Sequence, residues 1–241
     1  MLKTIKVKSE ILLRKTGVKF GMNFKMTDEE RVILLLKYNK IDLIFDIGAN
    51  TGQYARELFS LGYKGKIVSI EPLSGAYNQL LKHSENNVNW IIAERCALGD
   101  KNEDSEINIT ENSVSSSLME ILPGHTDSEP ASKIIGKENI KVYTLDSIAD
   151  KFIVDNNITF LKIDTQGFEE KVLKGAETTL KRVKGVQLEL SLVKLFEGQK
   201  LYLELIEMMK SYGFDLYSVE PAFTDKRTGR LLQVNGLFFR E

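Results

Sequence analysis

The segment Ile41–Ala55, IDLIFDIGANTGQYA, restricts the fold more than any other stretch of this chain. It starts with a short apolar run, whose length and composition predict a strand buried on both faces. Gly48, Asn50 and Gly52 then predict a turn, and the residues after them predict a helix with one apolar face. Glycine lets the backbone approach a ligand closely, and a helix N-terminus offers free N–H groups. A strand, a glycine-rich turn and a helix in this order therefore predict a nucleotide-binding cradle.

The spacing of this turn favours S-adenosylmethionine over a dinucleotide. A dinucleotide site uses G-x-G-x-x-G, whose second glycine leaves room for a pyrophosphate, and this chain has Asn50 at that position. Asp46 ends the predicted strand, where a carboxylate would repel a phosphate and attract the ammonium group of S-adenosylmethionine. The ribose hydroxyls of that cofactor need an acceptor, which Glu71 offers at the end of the next predicted strand. The alternative is that the glycines only form a tight turn and that Glu71 caps a helix.

Several segments resemble the FkbM-type methyltransferases, in this order along the chain: FDIGANTGQYA, IEP, ALGD, TLDSI, KIDTQGFEEKVLKGA and LELS. The resemblance covers roughly residues 40–240, and KIDTQGFE is its most specific part. It implies a Rossmann-like α/β fold with a seven-strand sheet that uses S-adenosylmethionine, usually to methylate a hydroxyl oxygen. It does not imply one acceptor, because the family acts on sugars, polyketides and other small hydroxylated molecules. One departure is Asn235, where similar proteins often have Asp.

Composition narrows the remaining classes of function. A chain of 241 residues is typical of a single α/β domain. Lys and Arg total 33 against 34 for Asp and Glu, which disfavours a nucleic-acid-binding surface. The single cysteine, Cys96, excludes an intramolecular disulfide and a cysteine-only metal site. The apolar runs are too short for a membrane span and the N-terminus does not resemble a signal peptide, so we expect a cytoplasmic protein.

The N-terminal part, residues 1–40, is predicted to be a helical lead-in to one methyltransferase domain, residues 41–241. Residues 1–25 carry seven Lys or Arg side chains, which are typical of a solvated segment. Covering the active site, contacting an anionic substrate, and pairing with a second subunit in a homo-oligomer are the alternatives. Thr27 and Glu30 have the spacing of a capping box, which predicts a helix that runs to about residue 40.

The strand pattern predicts a mostly parallel sheet with an antiparallel C-terminal strand and a small β extension. Residues 101–145 are too long for a plain crossover. Alternation at both ends of this segment predicts two extension strands that enclose a lid loop, with Ser116-Ser117-Leu118 facing the substrate. The alternative for its serine run is a flexible linker. The main strands are predicted at residues 43–45, 66–71, 88–97, 158–163, 185–190, 214–219 and 231–240.

The cofactor contacts are predicted from the turn, from the second strand and from the end of the third. In a fold of this kind the residues that end the third strand flank the adenine ring, which makes Ala97 and Leu98 candidates, beside Cys96. The thiol of Cys96 itself is expected to be a small buried hydrophobe. The candidate cofactor contacts are Asp46, Gly48, Asn50, Gly52, Tyr54, Glu71, Pro72, Ala97 and Leu98.

Acidic side chains at the ends of neighbouring strands are the candidates for catalysis. Asp164 and Glu189 end two predicted strands, and Glu169 lies close by in sequence. Open α/β sheets bind ligands beyond the carboxyl ends of their strands. These acids could supply a general base with a raised pKa, or Asp164 and Glu189 could hold Mg²⁺. His125 in the lid loop is a further candidate base. The alternative is that Asp164 caps the next helix and Glu169 interacts with its dipole.

The sequence therefore predicts an S-adenosylmethionine-dependent O-methyltransferase whose acceptor is a hydroxyl of a small molecule, such as a sugar or a glycan precursor. Two other classes stay open. A nucleotide-sugar or NAD-dependent oxidoreductase is disfavoured by Asn50 and by the absence of a Tyr-x-x-x-Lys pair beside the turn. A non-catalytic relative that binds the cofactor as a scaffold is excluded by no sequence feature.

Overall fold

The computed structural model describes residues 26–154 and 156–241, and the predicted basic segment 1–25 lies outside them. The strands, in chain order, are β1 (Leu43–Ile47), β2 (Lys66–Ile70), β3 (Trp90–Ile92), β4 (Ala97–Leu98), β5 (Glu103–Thr110), β6 (Ile134–Tyr143), β7 (Thr159–Ile163), β8 (Val183–Ser191), β9 (Asp215–Thr224) and β10 (Leu231–Phe239). The helices are α1 (Asp28–Tyr38), α2 (Gln53–Ser60), α3 (Ser74–Ser84), α4 (Pro123–Ser128), α5 (Leu145–Ile148), α6 (Glu169–Lys174), α7 (Glu177–Leu180) and α8 (Tyr202–Ser211).

The main sheet has seven strands in the order β3-β2-β1-β7-β8-β10-β9. The neighbouring strands β3, β2, β1, β7 and β8 of this sheet pair in parallel, and β10 pairs antiparallel with both β8 and β9. This arrangement confirms the predicted fold class. The chain continues from β1 to β2 on one side and later returns to the other side of β1 with β7, so β1 and β7 flank a topological switch point. Ligands bind at such points in open α/β sheets.

The third strand is shorter than predicted, and the prediction of one strand over residues 88–97 is wrong. The strand β3 ends at Ile92, and Ala97 begins β4, which belongs to a second sheet of order β4-β6-β5. The two polar residues Glu94 and Arg95 lie between them, and Arg95 Nη1 donates to the carbonyl of Pro72 at 2.9 Å. The small sheet corresponds to the predicted β extension, with β4 added to it.

Helix α1 starts with the predicted capping box, which the structure confirms. The backbone N–H of Thr27 donates to Glu30 Oε2 at 2.9 Å, and the N–H of Glu30 donates to Thr27 Oγ1 at 3.2 Å. Val32 and Leu36 of this helix are buried in an apolar cluster on one face of the main sheet, together with Phe239. A larger cluster covers the other face. Among the described residues, no helix has both the length and the apolar character needed to cross a membrane.

The turn after β1 depends on glycine at position 48. Gly48 has φ +74°, and a Cβ atom there would overlap the carbonyl oxygen of Asp164 in the turn after β7. The N–H groups of Gly48 and Ala49 donate to the carbonyl of Ile70 at 3.1 and 3.0 Å. The absence of a side chain at Gly48 therefore lets the turn after β1 lie directly against the turn after β7.

Replacing Gly48 with Ala should destabilise the protein more than the same change at Gly62. Both glycines have positive φ, but Gly62 has open space around its Cα. Gly62→Ala should therefore lower the free energy of unfolding by about 1–2 kcal/mol, the cost of left-handed backbone. Gly48→Ala should lower it by about 1–3 kcal/mol more, the cost of overpacking. Urea unfolding of both variants measures this difference, and equal losses would show that the contact with Asp164 does not restrict the fold.

Candidate active site

A cavity of about 300 Å³ lies beside the carboxyl ends of β1, β2 and β7. Its volume falls at the lower end of the range for small-molecule sites. The turns after these three strands form one part of its wall, and residues from α2, β8, β10, the small sheet and the lid loop also line it. Most of the candidate cofactor contacts line it, namely Gly48, Asn50, Tyr54, Glu71, Pro72, Ala97 and Leu98.

Glu71 joins the turn after β1 to the turn after β2. Its Oε2 accepts the N–H of Asn50 at 2.7 Å, and its Oε1 accepts the N–H of Leu73 at 2.8 Å. The side chain is buried, and burial raises its pKa to about 7, although these two hydrogen bonds oppose the shift. Each carboxylate oxygen has a second lone pair. Glu71 can therefore accept a hydroxyl from the cavity and keep both backbone contacts.

Gly52 does not line the cavity, although the sequence placed it among the cofactor contacts. Its φ is +81°, and a Cβ atom there would overlap the indole ring of Trp90. This glycine therefore lets α2 pack closely on the sheet. Its contribution to the cradle is to place the start of the helix.

Asp46 also lies behind the cavity wall. It is completely buried, and its Oδ2 accepts the hydroxyl of Ser69 at 3.2 Å. Its Oδ1 lies 3.2 Å from Nζ of Lys162. The ammonium group that meets Asp46 in this structure is therefore that of Lys162, whereas the sequence suggested the ammonium of the cofactor. The parallel register explains this contact, because Asp46 pairs with Ser69 of β2 on one side and with Lys162 of β7 on the other.

The sequence analysis missed Lys162. Its Nζ donates to the carbonyl of Gly48 at 3.1 Å and lies 3.4 Å from Oδ2 of Asp164. The ammonium also lies 5.6 Å from the centre of the Tyr54 ring. Burial alone would lower the pKa of Lys162, but the carboxylates of Asp46 and Asp164 outweigh it and hold this pKa above its usual value. The sequence does contain a signal for this contact. Lys162 interrupts the apolar run of a central strand, and a buried charge needs a partner of opposite charge.

Asp164 and Glu189 are joined by an amide. Nε2 of Gln166 donates to Asp164 Oδ1 at 2.8 Å and to Glu189 Oε2 at 3.0 Å. Nε2 of Gln233 also donates to Glu189 Oε2, at 2.7 Å. Burial raises the pKa of Glu189 well above its usual value, and the charges of Asp164 and Glu169 add to this effect. Asp164 lines the cavity with about a third of its side chain exposed, whereas Glu189 is buried beside it.

Glu169 organises the turn after β7 and does not line the cavity. Its Oε1 accepts the N–H of Thr165 at 2.9 Å and the N–H of Gly167 at 3.2 Å. The side chain is buried, and burial raises its pKa to about 7. Glu169 therefore holds the backbone of the turn after β7, and this turn positions Asp164.

His125 is also away from the cavity. It is 2% exposed, and its ring lies 5.2 Å from that of Phe196 and 5.3 Å from that of Phe223, centre to centre. Burial lowers its pKa. The side chain anchors α4 on the apolar cluster around Phe196, and its position gives no support to the predicted role as a base.

The serine-rich segment forms specific contacts with both turns. Oγ of Ser113 accepts Nδ2 of Asn50 at 3.2 Å, and Oγ of Ser117 donates to the carbonyl of Gln166 at 2.7 Å. Ser116, Ser117 and Leu118, the predicted substrate-facing element, all line the cavity. These hydrogen bonds are inconsistent with a flexible linker and place the segment across the cavity as a lid.

The predicted Mg²⁺ ligands do not fit that ion. Within residues 26–154 and 156–241, no three His, Cys, Asp or Glu side chains are grouped so that they could hold a metal. Mg²⁺ requires oxygen ligands in nearly octahedral geometry. The oxygens of Asp164 face the Gln166 amide and the Lys162 ammonium, and Oε2 of Glu189 accepts two amide donors.

The seven-strand sheet with its antiparallel C-terminal strands has the Rossmann-like architecture of S-adenosylmethionine-dependent methyltransferases. The family model described as the methyltransferase FkbM domain matches residues 46–216, well over half of the chain. The protein therefore belongs to the FkbM methyltransferase family, as the sequence segments predict. No match was found among curated proteins.

Solved structures share the fold at low sequence identity. A proposed tRNA (m1A22) methyltransferase from Streptococcus pneumoniae, in complex with S-adenosyl-L-methionine, has a TM-score of 0.50 and 11% identity, over 88% of this chain and 72% of that chain. An uncharacterized protein from Listeria monocytogenes serotype 4b has a TM-score of 0.51 and 10% identity, over 90% of this chain and 69% of that chain. At these identities the similarity concerns the fold alone.

Glu71→Gln should make the protein relatively more stable at high pH. The folded-state pKa of Glu71, about 7, lies above its ordinary value of 4.5. The stabilisation that this shift provides is complete below pH 4.5, declines as the pH rises through 7, and is absent above that value. Between pH 5 and 8, wild type should thus lose roughly 1–3 kcal/mol relative to the variant, at about 1.4 kcal/mol per pKa unit.

Urea unfolding at both pH values measures this difference, because both proteins share the other buried carboxyls. The control is Glu85→Gln, which removes an exposed carboxylate and should show no such difference. A constant offset between wild type and Glu71→Gln at the two pH values would contradict the raised pKa.

Proposed function

We propose that this protein transfers a methyl group from S-adenosylmethionine to a hydroxyl oxygen of a small molecule, a sugar or a glycan precursor, with Asp164 as the general base. One observation carries the proposal. Asp164 is a partly exposed carboxylate that lines the same cavity as Gly48 and Glu71. A candidate base and a candidate cofactor cradle thus share one small-molecule site.

The cofactor side of the cavity fits S-adenosylmethionine by its polar groups. Glu71 would accept the ribose hydroxyls, and Ala97 and Leu98 would flank the adenine ring with apolar surface. Gly48, in the turn after β1, lines the cavity beside Glu71. When bound, the cofactor would supply a methyl group carried on a sulfonium sulfur. The neutral sulfide, S-adenosylhomocysteine, is the leaving group of the in-line displacement.

The protein has to align the acceptor and remove its proton. The Asp164 carboxylate would take the proton from the acceptor hydroxyl. Gln166 and Lys162 contact its two oxygens, at 2.8 and 3.4 Å. The carboxylate therefore needs little reorganisation when the acceptor arrives. Glu189 contributes behind it, through the shared amide of Gln166.

Amide side chains near Asp164 support a hydroxylated acceptor. Gln166, Gln187 and Asn235 line the cavity, and each amide can both donate and accept hydrogen bonds. Hydroxyl groups have the same dual character, so these side chains are suited to a polyol ring. The formal net charge of −1 does not favour a nucleic acid as the acceptor.

S-adenosylmethionine and S-adenosylhomocysteine should both raise the melting temperature, because each binds only the folded protein. NAD should not raise it. Glu71→Gln should weaken the binding of both sulfur ligands by about 1–3 kcal/mol, since it removes charge-assisted hydrogen bonds. Differential scanning fluorimetry and titration calorimetry measure these effects, with Glu85→Gln as the control variant. Equal stabilisation by NAD would instead support the oxidoreductase alternative.

Asp164→Asn should keep a near-native melting temperature and normal cofactor binding but slow turnover by about 10²–10⁴-fold, the usual loss of a general base. Asn caps helices about as well as Asp, so a residue that only caps a helix would tolerate the change. The assay incubates labelled methyl donor with the small-molecule fraction of a cell extract and identifies the labelled product. Glu189→Gln is the matched comparison and should slow turnover less, because Glu189 does not line the cavity. Wild-type turnover of Asp164→Asn would refute the assignment of the base.

A further inference from the structure

The cavity wall has two parts along the edge of the main sheet. Glu71 follows β2 and Asp164 follows β7, whereas Gln187 and Asn235 lie within β8 and β10. The strand order places two strand spacings between Glu71 and Asp164, and the two amides lie one and two spacings beyond Asp164. Neighbouring strands are about 4.8 Å apart. The two amides are therefore separated by the candidate base from the group that would bind the ribose.

The amide of Gln187 is held by the protein at its oxygen. The hydroxyl of Tyr54 donates to Gln187 Oε1 at 3.2 Å. Gln187 is 6% exposed, and it lines the cavity. Within residues 26–154 and 156–241, no hydrogen-bond acceptor meets its Nε2, and this nitrogen is not sealed from solvent. Because an amide nitrogen is a donor, Nε2 can donate to a molecule in the cavity.

Asn235 places a second amide close to the first. It lines the cavity, and its side chain also makes no hydrogen bond to the described part of the chain. Leu237 pairs with Gln187 across β10 and β8, and Asn235 lies two residues before Leu237. Residues two apart in a strand share one face of the sheet, so both amides project from the same face. Tyr54 packs on this face, in the apolar cluster that contains Leu237.

We infer that Gln187 and Asn235 bind the methyl acceptor, and that Tyr54 is a positioning residue that directs the Gln187 amide toward it. This inference rests on the proposed function, because it takes the side of the cavity next to Asp164 as the place where the acceptor lies. An amide N–H needs an acceptor atom on its ligand. The methyl acceptor therefore carries a further oxygen near the hydroxyl that is methylated, as a sugar ring or another polyol does.

This role differs from the cofactor contact that the sequence predicts for Tyr54. The Tyr54 hydroxyl contacts β8, which is three strands away from β2 and the ribose-binding Glu71. Tyr54→Phe removes this hydroxyl and keeps the ring, so the dissociation constant of S-adenosylhomocysteine should not change. Titration calorimetry measures it, and Glu71→Gln, which should bind this ligand more weakly, shows that the measurement responds. Weaker binding by Tyr54→Phe would make Tyr54 a cofactor contact and overturn the proposal.

The acceptor contacts are tested with labelled methyl donor and the small-molecule fraction of a cell extract. The rate of label transfer, measured against the amount of this fraction, gives a half-saturating amount and a maximal rate. Tyr54→Phe should raise the half-saturating amount about 2–10-fold, the effect of one net hydrogen bond. The maximal rate should stay near that of wild type, because binding lost equally from the ground state and the transition state does not slow the bound complex.

The matched control is Tyr77→Phe. The Tyr77 hydroxyl also makes one hydrogen bond, to the carbonyl of Ala93 at 3.0 Å, but Tyr77 does not line the cavity. This variant should match wild type in the half-saturating amount, in the maximal rate and in the binding of S-adenosylhomocysteine. An equal rise in Tyr54→Phe and Tyr77→Phe would show a general effect of losing a hydroxyl and would overturn the proposal.

A double variant shows whether Tyr54 acts through Gln187. Gln187→Met removes the amide and should raise the half-saturating amount more than Tyr54→Phe does. Tyr54→Phe/Gln187→Met should give the same value as Gln187→Met, because losses that act through one shared contact do not add. Additive losses would show that the hydroxyl touches the acceptor itself and would overturn the positioning role. If Gln187→Met does not fold, Tyr54→Phe and Asn235→Ala decide, and both should raise the half-saturating amount.

The proposed function and this inference fail in different ways. A wild-type protein that transfers label to no molecule of the fraction would refute both. Label transfer by wild type, with an unchanged half-saturating amount in Tyr54→Phe and Asn235→Ala, would keep the methyl transfer and remove only the acceptor contacts. A labelled product whose methyl ether is its only oxygen, identified by mass spectrometry, would keep transfer to a hydroxyl and overturn the inference.

Discussion

The buried contact between Asp46 and Lys162 fixes how the two central strands pair. The register places Ser69, Asp46, Lys162 and Gln187 opposite one another on β2, β1, β7 and β8. All four are nearly inaccessible to solvent. A shift by one residue would turn these side chains to the other face of the sheet and leave a buried charge without its partner. The polar row therefore specifies one register, and this register brings the turns that follow the strands together.

The same row of polar side chains limits which charged side chains line the cavity. Asp46 is neutralised inside the sheet, and Glu169 is used by the backbone of a turn. Glu189 shares the amide of Gln166 behind the wall. Three acids of the described residues line the cavity, namely Glu57 of α2, Glu71 after β2 and Asp164 after β7. The separation of Glu71 from Asp164 suits methyl transfer, because a ribose-binding group and a proton acceptor are required at different ends of the cofactor.

The sequence predicts the sheet well because each main strand is an apolar run bounded by turn residues or charges. The order of the strands follows from the resemblance and from the antiparallel hairpin at the end of the chain. The side-chain contacts are harder to predict. Asp46 ends a strand in the sequence, as a ligand-binding acid would, but its register partner in β7 is Lys162, and a register is a property of two segments far apart in the chain. His125 is one polar residue in a loop, and only the packing of Phe196 and Phe223 around it shows that it is buried.

The lid combines two kinds of attachment, and their strengths differ. Its first part is held by polar contacts, from Asn50 to Ser113 and from Ser117 to Gln166, each of which contributes about 0.5–1.5 kcal/mol net. Its later part, which contains His125, packs on the apolar cluster around Phe196. The contact from Asn50 to Ser113 is partly exposed and can exchange with water, whereas Ser117 is buried and the apolar cluster opens only at the cost of exposing its surface. Local opening would therefore begin around Ser113, at the wall of the cavity.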